Sequence, residues 1–185
     1  PDGLALLGVA EIENRKVLED LVNQPALKNR NYKIVHEDCK YFRGVDVALI
    51  YNPKYFKEIS HFTTEVSFPS NSDPNKTYYS RDILWVKGVL GGIDTIHICV
   101  NHWPSRRGGE KKSSPKRQHC AKLCKQVIDS LLADDPKAKI FLTGDLNDDP
   151  VSPSVKNILR AKRKSHQVKK KGLFNPMWDK YVDGD

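Results

Sequence analysis

Long, nearly continuous apolar runs constrain the fold of this 185-residue chain more than any other feature. The longest are Leu4 to Ala10, Val45 to Tyr51, Ile83 to Leu90 and Ile93 to Val100. Such runs are typical of β-strands that are covered on both faces. Gly91-Gly92 lies between the last two runs and predicts a hairpin. The chain therefore needs apolar layers on both sides of its strands.

Helices are predicted between these strands. Asn14 is a candidate N-cap for a helix with an apolar stripe behind it. A second helix is predicted after Pro115, running to about Ala133. A third starts at Ser152-Pro153, with proline at the first helical position. Neither a repeat nor a linker interrupts the pattern, so the sequence favours one mixed α/β domain over residues 1–185.

The composition excludes several classes of protein. The hydrophobic fraction is 38% and the charged fraction 29%, values typical of a soluble globular chain. Apolar runs are too short to cross a membrane, and the start does not resemble a signal peptide. The sequence leaves the compartment and the oligomeric state open.

The net charge of +8 suits a polyanionic partner, such as nucleic acid or a phosphorylated small molecule. Much of the excess lies in two clusters, Arg106 to Arg117 and Arg160 to Lys171. Each cluster either contacts the substrate or is a solvated loop. Four cysteines do not form a disulfide or zinc pattern. Cys120 and Cys124 share one face of the predicted second helix, which favours a place in the core.

The segment Lys139 to Pro150, KIFLTGDLNDDP, carries the strongest chemical signal. An apolar strand there ends at Asp145, and Asn147 follows two residues later. In an extended chain, residues two apart face the same way. The carboxylate can ligate a metal or accept a proton from water, and the amide can donate to a phosphate oxygen. The alternative is an Asp-Asn turn; Asp148 and Asp149 are assigned mainly to turn and cap roles.

Three other strand ends carry polar groups. Glu11 follows the first apolar run and is a hard oxygen ligand suited to Mg²⁺. His102 follows another, where it contacts either a phosphate or a structural hydrogen-bond partner. Trp103 either stacks on a base or packs in the core. Arg81 opens a strand and either clamps phosphate or pairs with Asp82.

These motifs occur in one order that resembles the endonuclease/exonuclease/phosphatase family. Glu11 in VAEIEN matches the family's metal-binding Glu, with Ala10 where Gln is usual. Asp145 and Asn147 in GDLND match its Gly-Asp-x-Asn motif. The resemblance implies that Glu11 binds the metal, that Asp145 orients or deprotonates the attacking water, and that Asn147 binds phosphate.

His102 in VNHWPSR matches the family's Asn-x-His element, which contacts the scissile phosphate. The resemblance makes His102 a catalytic residue together with Asp145 and Asn147. Candidate substrate or phosphate contacts are Arg81, Asn101, Trp103 and Arg106. The implied fold is a four-layer α/β/β/α sandwich of two mixed β-sheets flanked by helices. The implied cofactor is Mg²⁺ or Mn²⁺.

Two elements of the family are absent from these residues: a first strand with a metal-site Asn, and a final Ser-Asp-His element. The resemblance therefore predicts an incomplete domain, truncated at both ends, whose activity on its own is left open. The predicted function is hydrolysis of phosphate esters, with phosphodiesters and nucleic acid favoured. The alternatives are a non-catalytic nucleic-acid or phosphate-binding module of the same fold, and a small-molecule or lipid phosphatase of the same family.

Overall fold

The computed structural model describes residues 3–70, 73 and 75–184. The chain divides into two compact units. The first comprises residues 1–102 and 139–145, and the second comprises residues 103–138 and 146–185. The predicted loop Pro69 to Lys76 lies partly outside the described residues. The organisation as one incomplete domain stays a prediction.

The first unit contains a three-stranded antiparallel sheet. Its strands are β1 (Leu6–Ile12), β2 (Lys33–His36) and β3 (Asp46–Tyr51), in the order β1-β3-β2. Helix α1 (Arg15–Val22) follows β1 and begins as predicted, because the Asn14 side chain accepts a hydrogen bond of 3.1 Å from the Val17 backbone N–H. Leu18 of α1 packs with Ala48 and Ile50 of β3. The helix therefore covers one face of this sheet.

A four-stranded mixed sheet is the second layer of this unit. Its strands are β4 (Phe56–Thr64), β7 (Ile83–Leu90), β8 (Asp94–His102) and β9 (Lys139–Asp145), in the order β4-β7-β8-β9. The β7–β8 hairpin is confirmed, and Gly91 and Gly92 have the positive φ values of 61° and 73° that its turn requires. Strand β9 pairs with β8 in parallel. A two-stranded ladder, β5 (Ser67–Pro69) with β6 (Thr77–Tyr79), completes the strands of the described chain.

The main core lies between the two larger sheets. Val47 and Leu49 of β3 contribute to it from one side, and Val86, Ile98 and Val100 from the other. Because α1 covers the opposite face of the first sheet, β3 is buried on both faces, as its continuous apolar run predicted. The predicted class, an α/β fold built on a β-sandwich with helices, is confirmed.

The second unit contains α2 (Glu110–Asp134), a π-helical turn at Ser154–Ile158, a 3₁₀ turn at Ser165–Gln167, and α3 (Met177–Asp183). Helix α2 starts five residues before Pro115, so the predicted start after that proline was wrong. Proline is best tolerated in the first helical turn. Here the helix already includes Ser113, whose hydroxyl donates a hydrogen bond of 2.8 Å to the carbonyl oxygen of Gly109. Cys120 and Cys124 are buried and form no disulfide, in agreement with the core interpretation.

Candidate active site

The parallel pairing of β8 and β9 places two predicted site residues side by side. His102 is the last residue of β8 and Asp145 the last of β9, and the ladder pairs them directly. The imidazole Nε2 of His102 lies 3.8 Å from Oδ2 of Asp145. Ligand sites in α/β sheets lie beyond the carboxyl ends of strands. The register therefore brings the two groups together without help from a loop.

Glu11 approaches the same imidazole from the other sheet. Ala10 pairs with Val47 and Ile12 with Asp46, so Glu11 is the extra residue of a β-bulge. Its φ of 60° is in the left-handed region, which costs a non-glycine residue about 1–2 kcal/mol. The bulge directs Oε1 of Glu11 to within 4.0 Å of Nε2 of His102. Backbone strain of this kind is concentrated at functional sites.

The backbone at position 144, directly before Asp145, requires a glycine. Its φ is 110°, a conformation that L side chains rarely adopt. A Cβ atom at this position would lie 2.1 Å from the carbonyl oxygen of Asn101 on the paired strand. Only glycine therefore allows β9 to approach β8 closely enough to set Asp145 beside His102.

Burial and a neighbouring cation keep the His102 imidazole neutral. The residue is only 7% exposed, and this burial, reinforced by the Arg81 guanidinium, lowers the pKa of His102 below its usual range. Within the described chain, Nδ1 of His102 has no hydrogen-bond partner. Because Nε2 faces two carboxylates, we assign the single proton of the neutral ring to Nε2. His102 is thus a hydrogen-bond donor at neutral pH.

Arg81 holds the backbone of the His102 strand. Its Nε donates a hydrogen bond of 3.2 Å to the His102 carbonyl oxygen, and its guanidinium lies 4.8 Å from the centre of the Tyr41 ring. Only 7% of Arg81 is exposed. These contacts fix the position of the His102 backbone. The predicted roles of Arg81, a phosphate clamp or a partner of Asp82, stay predictions.

Asn101, a predicted substrate contact, lies inside the sheet. Asn101 is 0% exposed, and its side-chain amide donates to the backbone oxygens of Cys99 and Thr143, at 3.2 and 3.1 Å. The amide thus ties β8 to β9 from inside the sheet. The observed contacts of Asn101 are thus structural, and its contact with substrate stays a prediction.

The second unit contains Asn147, Trp103 and Arg106. The side-chain amide of Asn147 donates 2.9 Å to the Trp103 carbonyl, and Arg106 donates 3.0 Å to the Asn147 carbonyl. Strand β9 ends at Asp145 and Asn147 has a φ of 50°, so the extended geometry assumed in the sequence argument does not continue to Asn147. Arg106 also pairs with Asp149 at 2.9 Å. Trp103 is only 1% exposed, which favours the packing interpretation over stacking on a base.

A buried ion pair in the second unit was missed. Arg117 and Asp148 have side chains that are both 0% exposed, and Nε of Arg117 donates to Oδ1 of Asp148. Ser154 donates its hydroxyl to the other oxygen of Asp148. Asp148 is therefore an ion-pair partner, whereas a turn or cap role was predicted. The available signal was spacing, because Arg117 lies three and seven residues before Cys120 and Cys124, on the same helix face.

Comparison with protein families matches the whole chain, residues 1–185, to one family described as the endonuclease/exonuclease/phosphatase family. The chain belongs to this family. It also resembles solved structures of the endonuclease/exonuclease/phosphatase fold at low identity. TDP2 from Caenorhabditis elegans is 20% identical with a TM-score of 0.54, and the match covers 78% of this chain and 50% of that one.

Two phosphatases give higher structural similarity. ANGEL2, a 2',3'-cyclic phosphatase solved with adenosine-2',3'-vanadate, has a TM-score of 0.64 at 15% identity, covering 85% of this chain and 44% of that one. A mannosyl-6-phosphatase from Bacteroides thetaiotaomicron VPI-5482 has a TM-score of 0.62 at 18% identity, covering 83% and 55%. These similarities confirm the endonuclease/exonuclease/phosphatase fold.

Among curated sequences, virion membrane protein OPG143 of vaccinia virus (strain Western Reserve) is 27% identical over 141 residues, or 73% of this chain. The chain spans 30% of the length of that relative. Within the described part of this chain, the helices are all too short or too polar to cross a bilayer.

The donor set of the first unit fits the divalent ion expected for the endonuclease/exonuclease/phosphatase family. Mg²⁺ prefers one or two carboxylates and completes its shell with water and substrate oxygens. Glu11 and Asp145 supply two carboxylates within 4.0 Å of one imidazole nitrogen, and their side chains are 73% and 55% exposed. The carboxylates are thus open to solvent and substrate, whereas the imidazole between them is buried.

Proposed function

We propose that this chain carries the catalytic core of a metal-dependent phosphoesterase that hydrolyses phosphodiesters. The observation that carries the proposal is the convergence of Glu11, His102 and Asp145 from three different strands on one point. A module that only bound phosphate would not need two carboxylates there, because carboxylates repel phosphate. The family membership and the phosphatase names of two structural relatives support the same reaction class.

Glu11 and Asp145 are the residues that would hold the ion. A bound Mg²⁺ or Mn²⁺ would neutralise the charge that develops on the phosphate oxygens. In this proposal Asp145 also accepts a hydrogen bond from the attacking water and orients it for in-line displacement. The position of Asp145 is fixed by strand pairing, so little reorganisation is needed when substrate binds.

In this proposal the Nε2–H of His102 donates a hydrogen bond to a non-bridging phosphate oxygen. A neutral donor stabilises the more negative transition state without a proton transfer of its own. Arg81 acts through His102 as a positioning residue, since it bonds the His102 carbonyl. Asn147 remains the proposed phosphate-binding amide, and Arg106 the proposed outer contact to phosphate.

Nucleic acid is the proposed substrate class. The net charge of +8 favours a polyanion over an isolated monoester. A phosphodiester linkage in a polymer also offers flanking phosphates, which exposed basic side chains can contact.

The reaction is tested with bis(p-nitrophenyl) phosphate in Mn²⁺ or Mg²⁺, with EDTA as the metal-free reference. We expect Glu11→Gln and Asp145→Asn each to lower kcat by roughly 10²-fold or more. Glu13→Gln is the matched control, because Glu13 is an exposed carboxylate two residues from Glu11. Equal turnover in wild type and Asp145→Asn, or equal turnover with EDTA, would contradict the proposal.

The substrate class is tested by comparing DNA, RNA, a lipid headgroup diester and inositol phosphates under the same conditions. Faster cleavage of DNA or RNA is the expected result. Hydrolysis confined to small monoesters would exclude the nuclease proposal. Salt-sensitive binding to DNA without turnover would instead identify a non-catalytic nucleic-acid-binding module.

A further inference from the structure

A second cluster of metal-binding side chains lies in the first unit and shares no residue with the candidate active site. We propose that His36, Asp38 and Asp46 bind a divalent transition-metal ion of the zinc type. One donor atom from each of these residues lies within 4.8 Å of the other two. The proposal does not depend on the proposed phosphoesterase function.

His36 provides the independent evidence for a ligand. The residue is only 7% exposed, yet its Nε2 makes no hydrogen bond within the described chain. A buried polar nitrogen without a hydrogen bond costs about 1–3 kcal/mol, and such groups are rare in folded proteins. Nε2 points at Oδ2 of Asp46, 3.4 Å away. A cation between the two atoms would satisfy the nitrogen lone pair and the carboxylate at once.

The strand register explains why these side chains meet. His36 is paired directly with Ala48, and Asp46 lies two residues before Ala48 on the same strand. Residues two apart face the same side of a sheet, so His36 and Asp46 are diagonal neighbours on one face. Asp38 follows His36 by two residues, just after β2 ends.

The Asp46 carboxylate is held in an orientation suited to ligation. Its Oδ1 accepts a hydrogen bond of 3.1 Å from the Cys39 backbone N–H, and its Oδ2 faces His36. Hydrogen bonds to the non-ligating atoms orient metal ligands in protein sites. Asp46 is 5% exposed, so this orientation is maintained by packing as well.

The distances and donor types favour zinc over magnesium. Zinc bonds of about 2.0–2.2 Å to nitrogen and oxygen separate two ligands of a tetrahedral ion by roughly 3.4 Å, and His36 Nε2 and Asp46 Oδ2 are 3.4 Å apart. Imidazole ligands suit zinc, copper, iron and nickel, whereas magnesium prefers oxygen. Asp38 is exposed, which leaves the outer side of the site open to water.

The test measures Zn²⁺ affinity by competition with a chromophoric chelator, and site geometry by the visible absorption of bound Co²⁺. All proteins carry Glu11→Gln and Asp145→Asn, so that the candidate active site cannot supply the signal. His36→Gln and Asp38→Asn are compared with Glu37→Gln. Glu37 is an exposed carboxylate between the two, and it accepts a hydrogen bond from His61, outside the cluster.

We expect Zn²⁺ affinity to fall at least about tenfold in His36→Gln and in Asp38→Asn, and to be unchanged in Glu37→Gln. The visible absorption of bound Co²⁺ should likewise fall in His36→Gln and Asp38→Asn and be unchanged in Glu37→Gln. Asp38 is exposed, so its variant tests the ligand role even if His36→Gln does not fold. Equal Zn²⁺ affinity in Asp38→Asn and Glu37→Gln would overturn the proposal, and so would displacement of Zn²⁺ by millimolar Mg²⁺.

Discussion

Glu11 and Gly144 both have left-handed backbone conformations directly beside the candidate catalytic groups. At Glu11 the conformation turns a carboxylate out of a bulged strand, and at Gly144 it lets two strands approach closely. Glu11 has a side chain despite its strained backbone, whereas at Gly144 there is no space for a Cβ atom. The geometry around His102 thus depends on two single residues in different sheets.

Gly144→Ala should disrupt the site more than an ordinary glycine substitution. A positive φ alone costs an alanine about 1–2 kcal/mol, and at Gly144 the added Cβ would also meet the Asn101 carbonyl at 2.1 Å. Gly91→Ala is the matched control, because Gly91 has a φ of 61° and open space around it. Urea unfolding should show a larger loss of unfolding free energy for Gly144→Ala than for Gly91→Ala. Equal losses would contradict the steric conflict between a Cβ atom at position 144 and the Asn101 carbonyl.

The sequence predicted which residue types lie at the strand ends, but it did not predict which of their side chains are exposed to solvent. Glu11, His102 and Asp145 were placed at the ends of apolar strands, and the structure brings these three together. Asn101 and Trp103 have equally polar or aromatic character, but both are buried. Whether a strand-end residue faces solvent depends on the neighbouring chain, which a local pattern does not contain.

At the scale of elements, His61 connects edge strand β4 to the segment after β2. Its Nδ1 lies 2.6 Å from Oε1 of Glu58, and its Nε2 lies 3.0 Å from Oε1 of Glu37. Hydrogen bonds to these carboxylates, Glu37 first, raise the pKa of His61 above its usual range. The charged imidazole therefore stabilises this edge of the fold.

His61→Gln should lower stability at pH 6 and have little effect at pH 9. Because the folded-state pKa is raised, the stabilisation is complete below the unfolded pKa of about 6.5 and is lost as the pH rises through the folded pKa. The expected loss at pH 6 is about 0.2–1 kcal/mol, as for partly exposed ion pairs. Thermal melts at the two pH values measure it, and a difference that grows with pH would contradict this role.

Asp148→Asn should strongly destabilise the unit that contains α2. It would remove the only fully buried carboxylate that Arg117 pairs with in the described chain and leave it Glu110, whose side chain is 48% exposed. Removal of one partner of a buried ion pair typically costs about 3–5 kcal/mol. Asp129→Asn is the control, because the Lys125–Asp129 pair on the same helix is 30% and 58% exposed and should be worth less than about 1 kcal/mol. Comparable losses of unfolding free energy in the two variants would argue against the buried pair.

Apolar strands were predicted well, and the polar ones were missed. Strands β7, β8 and β9 were recognised because burial requires continuous apolar sequence. Strand β4 was missed because it is an edge strand, and most of its residues from Lys57 to Thr63 are exposed and carry no such signal. The early start of α2 was missed because Pro115 was taken as a boundary, although helix and proline coexist there.

At the scale of the whole molecule, each basic cluster contains both ion-paired and exposed cations. Arg106 and Arg117 of the first basic cluster are engaged in ion pairs within the second unit. Lys169, Lys170 and Lys171 of the second cluster are exposed and form no ion pair with a carboxylate of the described chain. These three adjacent lysines are candidates for the contacts with nucleic-acid phosphates that the proposed function requires.

Replacing Lys169, Lys170 and Lys171 with Gln should lower the affinity for DNA. It should also make that affinity less dependent on the salt concentration. Each neutralised phosphate contributes about 0.9 to the slope of log affinity against log salt, so the slope should fall by about 2 to 3. A control variant changes three exposed lysines of the first unit, Lys28, Lys33 and Lys57, and has the same net charge. Identical slopes for the two variants would show that only total charge matters.

The parallel pairing of β8 with β9 also sets when the catalytic groups can meet during synthesis. The β7–β8 hairpin is local in the chain and can form as soon as residue 102 has left the ribosome. His102 gains Asp145 only after residues 103–138 and all of β9 have followed. A nascent chain halted before β9 would contain Glu11 and His102 but would lack Asp145, the second carboxylate of the candidate site. The candidate active site is thus completed by a late pairing between distant parts of the chain, and not by the local hairpin.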